Sequence, residues 1–154
     1  MTAIASAIVP EAGARIGDYE VIRELGRGGM AVILTARHVD TDEVRAIKLM
    51  LPGTHHDEVV QRFHLEFDIL ARLDHPGVLK VFEAGDIDGR PYIIMEFLDG
   101  VELGRAVESW QDIQPAERFE KAREALVAVA TALEYVHGQG LVHRDVTPSN
   151  IMLL

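Results

Sequence analysis

No cysteine occurs anywhere in the 154 residues. Neither a disulfide framework nor a thiolate metal site is therefore open to the chain, an absence compatible with a reducing compartment. There is also no run of about 18 consecutive apolar residues, the length a bilayer crossing needs. The apolar stretch Ala3 to Val9 is too short for that, and no lysine or arginine precedes it as in a secretory signal. Positive charge is scarce: 15 basic residues stand against 25 acidic ones, a net charge of -10, with no local basic patch. That balance argues against nucleic acid or an anionic membrane surface as a partner. Together with the missing span, it gives a cytoplasmic protein as the expectation. What is present is a hydrophobic content of 48%, enough for a domain with a sizeable core.

The residues able to do chemistry at a fixed spacing are concentrated in His143-Arg144-Asp145-Val146-Thr147-Pro148-Ser149-Asn150. An aspartate followed five positions later by an asparagine sits on a loop broken by Pro148 and runs into Ile151-Met152-Leu153-Leu154. Such a loop puts a general base beside a magnesium ligand, a phosphoryl-transfer arrangement. Taken alone, the same residues also suit a polar turn in which Asp and Asn serve only the local backbone, so the rest of the chain decides. The segment resembles the catalytic loop of eukaryotic-type protein kinases, His-Arg-Asp-x-x-x-x-Asn, and matches it at every fixed position.

In chain order, residues 1–14 lack a sustained period and read as a flexible tail. Tyr19 to Leu25, then Gly26-Arg27-Gly28-Gly29-Met30, then the β-branched and apolar run Ala31 to Ala36 read as strand, glycine turn, strand. Glycines there let backbone amides approach phosphate oxygens that a side chain would hold off. The turn resembles the kinase glycine-rich loop, with Ala31 in place of its third glycine and Ile33 in place of its valine. A dinucleotide fingerprint is the competing reading of the glycines, but it requires a helix next, and a strand follows. After the polar turn Asp40-Thr41-Asp42-Glu43, a third strand runs from Val44 to Met50, where Ala46 and Lys48 share one face. A small residue beside a lysine makes room for a flat ligand next to a cation, and Arg45-Ala46-Ile47-Lys48 resembles the kinase Val-Ala-Ile-Lys element.

Pro52-Gly53 breaks the chain, and His55-His56, without further ligands at a useful spacing, read as solvated loop. Asp57 is placed to cap a helix running to about Leu73. On it Val59, Phe63, Glu66 and Leu70 recur at spacings of four, three and four, so Glu66 falls along the apolar stripe and needs a cation, for which Lys48 is the candidate. Strands follow at Lys80 to Ala84 and Pro91 to Phe97, joined by a turn from Gly85 to Arg90. Asp99-Gly100 marks a boundary. A short helix spans about Leu103 to Ser109, and Pro115 opens a long one. Its residues Phe119, Ala122, Leu126, Val129, Leu133 and Val136 form an unbroken stripe that reads as core, and it ends at Gly138 or Gly140.

The resemblance covers about residues 15 to 154. It implies an α+β fold: a kinase small lobe over 15–98, with a five-stranded antiparallel sheet and one helix, followed over 99–154 by the first helices and catalytic loop of the large lobe. It implies a serine/threonine protein kinase using ATP and Mg2+ on a protein substrate. In that implication Lys48, oriented by Glu66, holds phosphates, Asp145 is the catalytic base and Asn150 binds magnesium. Gly26, Gly28 and Gly29 cover the phosphates, while Leu25, Ile33, Ala46 and Met152 meet the nucleotide. Met95 is the gatekeeper, the Glu96 carbonyl and Leu98 amide bond adenine, and Glu102 lies near the ribose. Two departures stand out. Thr147 replaces the usual lysine, and the sequence ends at Leu154, before the Asp-Phe-Gly element. The isolated chain is therefore expected to transfer phosphate poorly. The alternative is a non-catalytic module that binds nucleotide, or that docks or self-associates through an exposed helix 115–137.

Overall fold

The computed structural model describes residues 9–53 and 57–154. Most of the apolar lead-in and the His55-His56 pair lie outside those residues. The described residues form two compact units, one holding those up to Arg72 with Leu79–Phe97, the other Leu73–Val78 with Leu98–Leu154.

The first unit is an antiparallel sheet with one helix. Its strands are β1 (Arg15–Ile16), β2 (Tyr19–Arg27), β3 (Ala31–His38), β4 (Val44–Met50), β5 (Val81–Ile87) and β6 (Arg90–Glu96), in the spatial order β1-β2-β3-β4-β6-β5. The five expected strands are joined by β1, a two-residue edge strand. Alternation along β3 and β4 sends Val32, Leu34, Ala36, Ile47 and Leu49 into a core shared with Ile16, Tyr19, Val21, Tyr92 and Ile94. The opposite face packs Met50, Ile93 and Val81 against Phe63 of helix α1 (Asp57–Leu70).

Three details differ from the sequence reading. Residues 9–14, expected to be a loose lead-in, are tied down: Gly13 N donates to Val21 O and Val21 N to Ala14 O, both at 2.8 Å, and Pro10 is buried. The strands β5 and β6 extend until only Asp88 and Gly89 separate them, because both residues hold positive φ, 53° and 73°, as the tight hairpin turn favoured by Asp-Gly requires. Helix α1 stops at Leu70 rather than Leu73, its last turn closed by bonds from Ala71 N to Phe67 O and Arg72 N to Ile69 O.

The second unit holds β7 (Val101–Glu102), α2 (Leu103–Ser109), a 3-10 turn (Trp110–Asp112), α3 (Pro115–Gly138), a second 3-10 turn (Pro148–Asn150) and β8 (Met152–Leu153), which pairs with β7. Pro115 begins α3, and Gly140, at φ 75°, turns the chain out of it. The segment 73–78 lies on this helix, with the His75 ring stacked on Tyr135 at 5.0 Å and the Asp74 amide donating to the Tyr135 hydroxyl at 2.9 Å. The α3 stripe, core by its period but expected to be exposed where nothing covers it, is mixed: Val136 is buried and Ala122, Val129 and Leu133 are half-buried. Phe119 and Leu126 are each 66% exposed. A regular period puts residues on one face without supplying what covers that face. Among the described residues no helix is long and apolar enough to cross a membrane.

Candidate functional site

In the first unit, strand register gathers the candidates on one face. Ile33 stands opposite Lys48, which stands opposite Ile93, and Thr35, Ala46 and Met95 line up in the next row. Lys48, Ala46, Ile33 and Met95 therefore share the face that carries α1. The Lys48 ammonium meets both Glu66 carboxylate oxygens, at 2.6 and 2.7 Å, and lies 5.5 Å from the Phe63 ring centre. Glu66 is not buried in the stripe as its spacing suggested. Its side chain is 45% exposed against 27% for Lys48. The attraction is screened on that side, and the pair contributes little to stability, about 0–1 kcal/mol. Its value lies in fixing where the ammonium points.

Between β2 and β3 the glycine turn is closed by Gly28 N donating to Ala31 O at 2.9 Å. A β-carbon built at Gly26 or Gly29 would meet nothing within 4 Å, and neither residue has positive φ. Nothing within the chain needs the missing side chains, so the open space is available to a ligand approaching the backbone. Leu25 is partly exposed beside this turn. At its base Arg27 and Glu24 pair at 2.9 Å, an exposed contact in which the guanidinium lowers the carboxyl pKa.

Glu96, at the end of β6, donates its amide to Lys80 O at 2.9 Å and accepts the Lys80 amide on its own side-chain oxygen at 2.6 Å. No local pattern in the sequence announces this side-chain contact, which spans 16 residues.

In the second unit the loop from His143 to Asn150 is shaped by two local bonds and one residue with positive φ. His143 Nδ1 accepts the Asp145 amide at 3.3 Å, Arg144 takes φ 64°, and Asn150 N donates to Thr147 O at 2.9 Å. The Asn150 amide nitrogen gives hydrogen bonds to both Asp145 O and Asp145 Oδ2, each at 3.0 Å. That use of the nitrogen leaves the Asn150 side-chain carbonyl oxygen, a hard ligand of the kind magnesium takes. Among the described residues no group of three or more His, Cys, Asp or Glu side chains is placed to hold a metal. Thr147 Oγ1 and Ser149 Oγ lie 2.9 Å apart. One bond uses one of their two protons and leaves the other to donate elsewhere. Glu102 and Met152 are cross-strand partners in the β7–β8 ladder, and Leu98 is half-buried at the start of the unit.

The model of the protein kinase domain matches residues 19–154. The chain is 36% identical over 146 residues to the serine/threonine-protein kinase Pkn1 of Myxococcus xanthus, covering 94% of this chain and 20% of that protein. It is 37% identical over 145 residues to PknJ of Mycobacterium tuberculosis, covering 92% and 23%. The crystal structure of the Mycobacterium tuberculosis PknI kinase domain superposes with a TM-score of 0.76 at 32% identity, over 94% of this chain and 58% of that one. The chain spans about a fifth to a quarter of the length of the curated relatives it matches.

Proposed function

The chain belongs to the protein kinase family, and from that premise we propose that it carries the nucleotide-holding and catalytic-loop groups of an enzyme that moves the γ-phosphate of ATP to a serine or threonine hydroxyl of a protein. The observation that carries this reading is the Asp145–Asn150 pair, in which one carboxylate oxygen is held at 3.0 Å and the other is left for a substrate hydroxyl. The substrate oxygen attacks the γ-phosphorus, its proton passes to the free oxygen of Asp145, and the bond from phosphorus to the β-bridging oxygen breaks to release ADP. Lys48, steadied by both oxygens of Glu66, meets the α- and β-phosphates. Gly26, Gly28 and Gly29 give close backbone approach to the phosphates, and Leu25, Ile33, Ala46, Met95 and Met152 bound the base. The Glu96 carbonyl and Leu98 amide bond adenine, and Glu102 faces the ribose. Asn150 would hold one magnesium ion, which when bound neutralises phosphate charge.

In the active protein that contains this chain, Asp145→Ala should lower kcat by about 10²–10⁴-fold while ATP still binds. Retained turnover would remove Asp145 from its role. A second reading, a module that self-associates through α3 without transferring phosphate, is favoured by the exposed Phe119 and Leu126. It requires a dimer in sedimentation that Leu126→Glu dissociates, and a monomeric chain would exclude it.

A further inference from the structure

Residues 80 and 96 lie one step beyond the last β5–β6 pair, Val81 opposite Met95. Glu96 N donates to Lys80 O, and in a hydrogen-bonded antiparallel pair the Lys80 amide would return the bond to the Glu96 carbonyl. It goes instead to Glu96 Oε1, at 2.6 Å. A charged oxygen is the stronger acceptor, so the side chain takes the donor that its own main-chain carbonyl would otherwise engage.

We infer that the Glu96 carboxylate is a positioning residue for base selection: by capturing the Lys80 amide it releases the Glu96 carbonyl from the sheet and leaves it free to accept from the base. This rests on the reading above, in which that carbonyl meets adenine. The 6-amino group of adenine donates to a carbonyl, whereas guanine presents an oxygen at the same place, which a carbonyl repels. A freed carbonyl at this point therefore selects adenine over guanine. An occupied carbonyl selects neither.

The test is equilibrium binding of Mg-ATP, Mg-GTP and inorganic tripolyphosphate to the 154-residue chain and its variants. Glu96→Leu should weaken ATP about tenfold, shrink the preference for ATP over GTP, and leave tripolyphosphate unchanged. Glu96→Gln, which keeps an acceptor oxygen, should recover most of the loss. The double variant Lys80→Pro with Glu96→Leu should bind ATP more tightly than Glu96→Leu alone, because proline removes the amide for which the two oxygens compete. If Glu96→Leu leaves ATP unaffected, or weakens tripolyphosphate equally, the side chain has no role in base selection and the inference is overturned. Should Glu96→Leu fail to fold, Lys80→Pro alone decides. It should keep the preference for ATP over GTP, and loss of that preference overturns the inference. No nucleotide binding by the unaltered chain overturns the nucleotide reading itself, and this inference with it.

Discussion

The sheet unit and the helical unit handle apolar residues in opposite ways. In the first, Leu34, Ile47, Leu49 and Ile94 are fully buried, and both clusters of the hydrophobic core lie within it. In the second, the most regular apolar stripe in the sequence leaves Phe119 and Leu126 largely in solvent, half-buries Ala122, Val129 and Leu133, and buries only Val136. The central strands β3, β4 and β6 have neighbours on both sides and layers packed on their faces, so alternation there coincides with burial, while Ile22, Leu25 and Phe82 on β2 and β5 stay exposed. A helix needs a separate partner along its whole length. Periodicity therefore fixes which residues share a face in both units, but burial follows from it only where another layer covers that face, as over the central strands.

The comparison is put at greatest risk by truncations in the sheet core. Leu34→Ala or Ile47→Ala should each cost about 2–5 kcal/mol in urea unfolding, through lost apolar burial and the cavity left behind. A cost near zero at either would mean that the sheet core is no better packed than the helix face.

The next largest effect belongs to a place where the helical unit is tightly fitted. A β-carbon at Gly100 would run into the Leu153 carbonyl and the Leu154 side chain. Gly100→Ala should destabilise by about 1–3 kcal/mol and open the β7–β8 ladder. The readout is faster amide exchange at Leu103, whose N–H donates to Ile151 O at 2.8 Å. Unchanged protection there would show that the strand pair yields without loss.

A smaller effect separates the units by pH. Tyr19 and Tyr92, both in the sheet core, have pKa values raised above the usual 10.0, first by burial and then by carboxylates led by Glu83. A group whose folded pKa is raised contributes stability fully present below the unfolded value and lost as pH rises through the folded one. Stability of the sheet unit should therefore fall above about pH 10, and Tyr19→Phe with Tyr92→Phe should flatten that fall. An unaltered slope in the double variant would assign the alkaline loss elsewhere.

Much of this fold is legible in the sequence because local chemistry and tertiary placement agree. The β-branched run after the glycine turn, the proline at the start of α3 and the glycine that ends it each have one local solution, and the chain adopts it. Legibility fails where the decisive contact is remote. The hold on residues 9–14 comes from Val21, the Glu96 carboxylate is claimed by Lys80, and the exposure of α3 depends on what lies beside it. The candidate site divides the same way. The spacing of Asp145 and Asn150 is written in consecutive residues, and their hydrogen bonds are local. The spacing along α1 gave Glu66 a cation to find, but not its exposed setting beside Lys48.

The smallest effect is the most direct check of the contrast. Leu126 has the same side chain as Leu34 and belongs to a more regular pattern, yet it is 66% exposed where Leu34 is 0%. Truncating it removes few contacts and leaves no cavity, so Leu126→Ala should change unfolding free energy by no more than about 0.5 kcal/mol. Alanine's better helix propensity offsets part of even that. The informative outcome is a dependence on protein concentration. If Leu126→Ala costs nothing in dilute solution and progressively more as concentration rises, the stripe is covered by a second copy and self-association gains support. A cost near that of Leu34→Ala at every concentration would mean that α3 packs its stripe within the chain, and the contrast between the units would fail.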